Sequence, residues 1–219
     1  MFITFEGVEG AGKTTQLERL ATELRRLGRP VVVTREPGGT VLGERVRELV
    51  LDKATGDIAP RSEALLFAAA RAQHVAAVIR PAVDRGQDVL CDRFVHSSLA
   101  YQGVARGLGV EEVEGINRWA TGGLWPDLVV LLDVDPKVGL DRAEGVDRFQ
   151  AEQLAFHETV RRAFDELAGR DPDRFVRVDA RAGLDEVSAR VLAAVMTRLS
   201  ASGKGAPPAH QPPPRGAES

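Results

Sequence analysis

The sequence predicts an α/β fold, a five-stranded parallel sheet with helices on both faces. Three observations lead there. Five short apolar runs lack the alternation of a half-exposed strand, helical segments separate them, and a Gly-rich turn joins the first run to the first helix. At 219 residues the chain suits one ordinary domain.

Each element follows from its local pattern. Phe2 to Phe5 is the first strand; beyond Lys13, Leu17, Leu20, Leu24 and Leu27 recur at helical spacing until Gly28 stops them. Val31-Val32-Val33 reads as a buried strand that runs out at Thr34-Arg35-Glu36-Pro37-Gly38-Gly39. A helix is expected with Ser62 as N-cap and Glu63 in its first turn, reaching about Arg80. Val89-Leu90-Cys91 is the third strand, ending at Asp92-Arg93, and Leu128 to Leu132 is the fourth. Phe156, Val160, Phe164 and Leu167 mark a long amphipathic helix that Gly169 ends. Phe175 to Val178 supplies the fifth strand, and Leu184 to Leu199 closes a domain expected to span 1–200. Residues 201–219, Pro-rich with nothing to bury, read as a disordered tail.

Composition narrows the function. A net charge of −3 gives no global basic field, so no nucleic-acid partner is expected and an anionic ligand must be held by local arginines. Cys91 is the only cysteine, which excludes an intrachain disulfide and metal sites built on paired cysteines; at a buried strand end it reads as a core residue. The apolar opening is too short for a leader, and no apolar run approaches the ~20 residues that span a bilayer. A cytoplasmic protein without a membrane partner is the expectation.

Residues 7–14, GVEGAGKT, match Gly-x-x-x-x-Gly-Lys-Thr between a strand and a helix. This is a P-loop, and it predicts a P-loop NTPase fold. Backbone N–H groups from Gly7 through Val8, Glu9, Gly10, Ala11 and Gly12 can circle a phosphate, while Lys13 brings a cation and Thr14 a hydroxyl for Mg²⁺. Glu9, a carboxylate amid the cradle, ought to repel that ligand. The motif alone does not choose among GTPases, motor ATPases and kinases of small molecules.

The arginines suggest the acceptor. Arg35 and Arg93 stand at strand ends facing the cradle, and Arg142 and Arg148 lie between the fourth strand and the long helix. A phosphate acceptor is already anionic and needs no general base; it needs cations that cancel repulsion between two phosphates. Phe67 and Arg71, four apart, share a helix face and suit a base pocket of aromatic plate and donor fork, although a phenylalanine taken alone is more often a core residue. His74, His96 and His157 show no ligand spacing and read as satisfied structural histidines.

The blocks FEGVEGAGKTTQ, TREPGGT, LLFAAARAQHV, CDRFVHSSLAYQG, PDLVVLLDVDP and DRFQAE, spread over roughly residues 1 to 180, together resemble the bacterial thymidylate kinases. The resemblance implies phosphorylation of dTMP by MgATP through direct in-line transfer, in a homodimer. It turns Glu9 toward the dTMP 3′-hydroxyl and the metal region, and gives the dTMP phosphate to Arg35 and Arg93. It stacks Phe67 on thymine, bonds Arg71 to a thymine carbonyl, sets Ser98 and Gln102 at the base, and packs Tyr101 where a 2′-hydroxyl would lie. Asp92 becomes an indirect Mg²⁺ ligand or, equally, a structural partner of a nearby helix terminus. A short lid, about 136–150, closes over ATP; because the cradle has no arginine, the lid supplies the transition-state cation, Arg148 first and Arg142 second. Gln150 stands where relatives carry Glu, and Phe94 where they carry Tyr. No Asn-Lys-x-Asp segment supports a GTPase. A kinase of another nucleotide and a non-enzymatic nucleotide-binding regulator are the alternatives.

Overall fold

A computed structural model of the chain describes residues 1–142 and 150–201. Five parallel strands form one sheet: β1 (Phe2–Glu6), β2 (Val31–Arg35), β3 (Asp88–Asp92), β4 (Leu128–Asp133) and β5 (Phe175–Asp179), in the order β2-β3-β1-β4-β5. Central β1 is buried at every residue, as an unalternating apolar run requires. Phe5 lies beside Asp92 and Asp92 beside Arg35, so three strands end together. The expected common edge for Gly7, Arg35 and Arg93 follows from this register.

Helix α1 (Lys13–Arg26) buries Leu17, Leu20 and Leu24, and packs against α9 (Leu184–Ala201), whose Val187, Val191, Val195 and Leu199 repeat every four residues. Helix α8 (Gln150–Arg170) buries Val160, Phe164 and Leu167 in the same core, ending one residue past Gly169. No helix among the described residues is long and apolar enough to cross a membrane.

Several elements depart from the sequence expectation. Helix α2 (Val41–Leu51) was not anticipated; Thr40 caps it by accepting the Gly43 N–H at 3.0 Å. Helix α3 (Pro60–His74) begins at Pro60, whose fixed φ suits a first helical position, so Ser62 lies inside the helix and is not its N-cap. It continues past Arg80 through a π-helical segment, Val75–Ile79, into α4 (Arg80–Asp84). The π segment lies just ahead of Pro81, which has no N–H to return to the preceding turn. Helix α5 (Val95–Ser98) runs into a second π segment, Leu99–Ala105, followed by α6 (Val110–Thr121) and, after β4, α7 (Pro136–Arg142). Strand β2 is a sheet edge and not a buried strand: Val33 is 41% exposed. The part of the lid that holds Arg148, and the tail from 202 on, lie outside the described residues.

Candidate functional site

The cradle is held from below and from the side. Val8 and Ala11 are buried in the core, while Gly7, Gly10 and Gly12 all have positive φ. A Cβ at Gly10 would overlap the Gly139 carbonyl, and one at Gly139 would overlap the Glu9 carbonyl. Cradle and α7 therefore touch backbone to backbone, an approach only glycine permits.

Lys13 opens α1, and its buried ammonium donates to the Gly7 carbonyl at 3.2 Å and the Val8 carbonyl at 2.8 Å. Burial, helped by the nearby Arg93 charge, lowers its pKa to about 8 against the pull of Asp92, Glu9 and Glu6. Next to it the Thr14 hydroxyl donates to Asp92 Oδ2 at 2.5 Å. These two hard oxygen ligands suit Mg²⁺, which takes one or two protein oxygens and completes its shell with phosphate and water. Among the described residues no three His, Cys, Asp or Glu side chains converge, so a metal here would draw most of its shell from a ligand. Lys13, Thr14 and Asp92 line a cavity of about 510 Å³ together with Gly10, Gly12, Arg35, Arg47 and Arg142.

A second cavity, of about 420 Å³, is lined by Phe67, Arg71, Phe94, Ser98, Tyr101, Gln102 and Phe156. Buried Arg71 spends four of its five donors on protein: Nε on Glu36 at 2.6 Å, Nη1 on Ser98 Oγ at 3.1 Å and on Asn117 Oδ1, and Nη2 on the Phe94 carbonyl at 3.2 Å. Gln102 donates to Glu63 at 2.8 Å. Tyr101 stacks under the Arg93 guanidinium, 5.3 Å from ring centroid to Cζ, and its buried hydroxyl has no partner among the described residues. Phe94 is fully buried, edge-on against Phe2 at 4.9 Å and with the Arg71 guanidinium carbon 5.3 Å from its ring centroid.

The two cavities meet at Glu9, Glu36, Arg47 and Arg93, which line both. Arg93 sits in the left-handed region, φ 66°, uncommon for a non-glycine residue. Its guanidinium donates to the Gly7 carbonyl at 3.1 Å, to Ser97 Oγ at 3.2 Å and to the Glu9 carboxylate. Burial opposes ionisation of Glu9, but Arg93, Lys13 and His157 outweigh it and hold its pKa below the ordinary value. Glu9 thus meets a cation at the boundary between the cavities, which resolves the repulsion the sequence suggested.

Not every expected residue gathers in one place. Arg35 lines the first cavity and not the second, and its guanidinium is paired to Glu44 at 2.8 Å. Arg142 also lines the first, donating to the Ala180 carbonyl at 3.3 Å. Arg148 lies outside the described residues. His74 is satisfied, by Thr34 at 2.6 Å and Glu36 at 2.9 Å, but His96 and His157 each bury an Nδ1 without a partner among the described residues, which corrects their reading as satisfied. Cys91 is fully buried, and burial raises its thiol pKa, as a core residue requires. Arg47, Glu36 and Asn117 escaped the sequence reading. Glu36 stood within TREPGGT beside a flagged arginine; Arg47 and Asn117 lie on helices the sequence did not reveal.

A family model described as thymidylate kinase matches residues 5–191. The chain is similar to the thymidylate kinase of Deinococcus radiodurans, 54% identical over 90% of this chain and 97% of that one. It is similar also to that of Desulfosudis oleivorans, 50% identical over 89% and 96%. Among solved structures, thymidylate kinase from Ehrlichia chaffeensis superposes with a TM-score of 0.75 at 33% identity, covering 89% of this chain and 98% of that one. Both cavities lie within the matched residues.

Proposed function

The chain belongs to the thymidylate kinase family, and on that premise we propose that it phosphorylates dTMP to dTDP with MgATP by direct in-line transfer, a step toward dTTP. The observation that carries the reading is a pair of cavities, one around GVEGAGKT and one around Phe67 and Arg71, joined at Arg93 and Glu9. ATP occupies the first and dTMP the second. Thr14 and Asp92 would hold Mg²⁺, which would supply positive charge beside the transferring phosphates.

The remaining work belongs to side chains. Lys13 swings from the loop carbonyls to the outer ATP phosphates. Arg93, at the boundary, reaches the dTMP phosphate and the group in transit, so that two anions approach in line without a covalent enzyme intermediate. Arg35 and Arg47 add positive charge on the same side. Phe67 stacks on thymine, the one uncommitted Arg71 donor takes a thymine carbonyl, and Ser98 and Gln102 border the base. Glu9 accepts the sugar 3′-hydroxyl, and Tyr101 fills the space of a 2′-hydroxyl. Arg148 and, second, Arg142 bring the lid cation and exclude water. A homodimer acting in the cytoplasm completes the reading, on the strength of the family alone.

The test is ADP release with MgATP and dTMP, dUMP, dGMP, AMP, CMP or no acceptor. dTMP should give the highest kcat/KM; preference for another acceptor overturns the base pocket, and ATP binding without transfer favours a nucleotide-binding regulator. Lys13→Ala and Arg93→Ala should each lower kcat by at least about 10²-fold in folded protein, and near-native turnover in either would sink the mechanism.

A further inference from the structure

Beyond the residues expected to touch nucleotide, Glu6 occupies a position that ordinary strand packing does not explain. It ends central strand β1 and is fully buried, where a carboxylate is costly and an apolar side chain is the ordinary occupant. The β1–β3 ladder finishes with the Arg93 N–H donating to the Phe5 carbonyl at 2.9 Å. There the chain turns out of the sheet, with Arg93 left-handed. Glu6 Oε1 accepts the next N–H, that of Phe94, at 2.9 Å, in place of a ladder carbonyl. Its second oxygen accepts the Ser97 hydroxyl at 2.5 Å. Ser97 Oγ in turn accepts from Arg93 Nη1 at 3.2 Å, and the same Nη1 reaches the Gly7 carbonyl at 3.1 Å.

We propose that Glu6 is a positioning residue for phosphoryl transfer, holding the Arg93 guanidinium at the junction of the two cavities through the Phe94 N–H and the Ser97 hydroxyl. Satisfying one orphaned N–H needs a single acceptor. The other oxygen goes to the hydroxyl that carries Arg93, so both arms of the carboxylate act on one turn. A guanidinium that must meet a phosphate in flight loses rate when its position loosens, and this turn has strain to release.

This inference rests on the dTMP kinase reading, and the experiment separates the two. Wild type, Glu6→Gln and Ser97→Ala are compared alone and in an Arg93→Ala background, by turnover with MgATP and dTMP and by calorimetric affinity for dTMP and for ATP. Each single variant should lower kcat on the order of tenfold and weaken dTMP binding, with ATP affinity within about twofold of wild type. In the Arg93→Ala background neither should weaken dTMP binding further, because the arm it orients is gone. Native-like kcat in both single variants, or losses in dTMP affinity that multiply with Arg93→Ala, would overturn the proposal. Should Glu6→Gln fail to fold, Ser97→Ala carries the same comparison, since it leaves the Phe94 bond intact. A wild-type protein that does not phosphorylate dTMP would instead refute the functional reading.

Discussion

Tyr101 shows how much one side chain can decide. Its ring is fixed between the Arg93 guanidinium on one face and Phe156, 6.0 Å away edge-on, so it is a rigid wall of the second cavity. Tyr101→Ala should relax the preference for deoxynucleotides, raising kcat/KM for the ribonucleotide relative to dTMP by about tenfold or more; an unchanged ratio would take Tyr101 out of that role. Arg71 makes the complementary point. The sequence offered it as a donor to the base, and four of its donors prove to be spent on Glu36, Ser98, Asn117 and Phe94. Whatever it gives a ligand comes from one remaining N–H, held in place by the other four.

Elements position these residues, and α7 does so by direct contact. In an isolated helix Gly139→Ala should stabilise by about 1 kcal/mol. Here the added Cβ would overlap the Glu9 carbonyl and push α7 off the cradle. The expected result is a loss on the order of tenfold in kcat/KM for ATP with no gain in Tm; a stabilised, fully active variant would show that the two backbones can part freely.

The pattern of α2 explains why the sequence concealed it. Val41, Leu42, Leu49 and Leu51 are exposed, and of its large apolar residues only Val46 is buried, so its hydrophobic residues mark no single core face. Helix α6 buries Val113 as expected but departs at two positions, with Trp119 87% exposed and Asn117 buried beneath Arg71. Strand β2 misleads in the other direction, three valines on a sheet edge reading like a central strand. By contrast β1, β4, α1 and α9 bury what their patterns promise, and they were legible for that reason.

At the scale of the whole molecule, buried ionisable groups should shape the pH dependence of stability. His96 packs edge-on against Phe175 at 4.9 Å, and burial, with the Arg174 and Arg71 charges, pushes its pKa down to about 3 from an ordinary 6.5. Between those values the unfolded chain binds a proton that the native protein refuses, so its contribution falls as pH drops below 6.5. Glu6 acts oppositely. Burial raises its pKa from 4.5 to about 7, although Ser97, Arg93 and Lys13 work against it, so its contribution is full below 4.5 and is lost as pH rises through 7. As pH is lowered from 7.5 to 5, the Tm of His96→Phe should therefore rise relative to that of wild type; a constant difference would show that His96 takes up its proton without unfolding.

Taken by itself, the sequence determined the fold class and the phosphate cradle, because each is written in neighbours a few positions apart, and it offered scattered cations and aromatic residues only as candidates for a nucleotide site. Which cavity each residue lines was decided only by the tertiary structure. Arg35 falls on the cradle side, Arg93 meets Glu9 across 84 positions of sequence, and Arg71 is tied to Asn117 across 46. Such pairings are set by strand register and helix packing, which bring distant side chains within hydrogen-bonding reach while leaving no periodic trace in the chain.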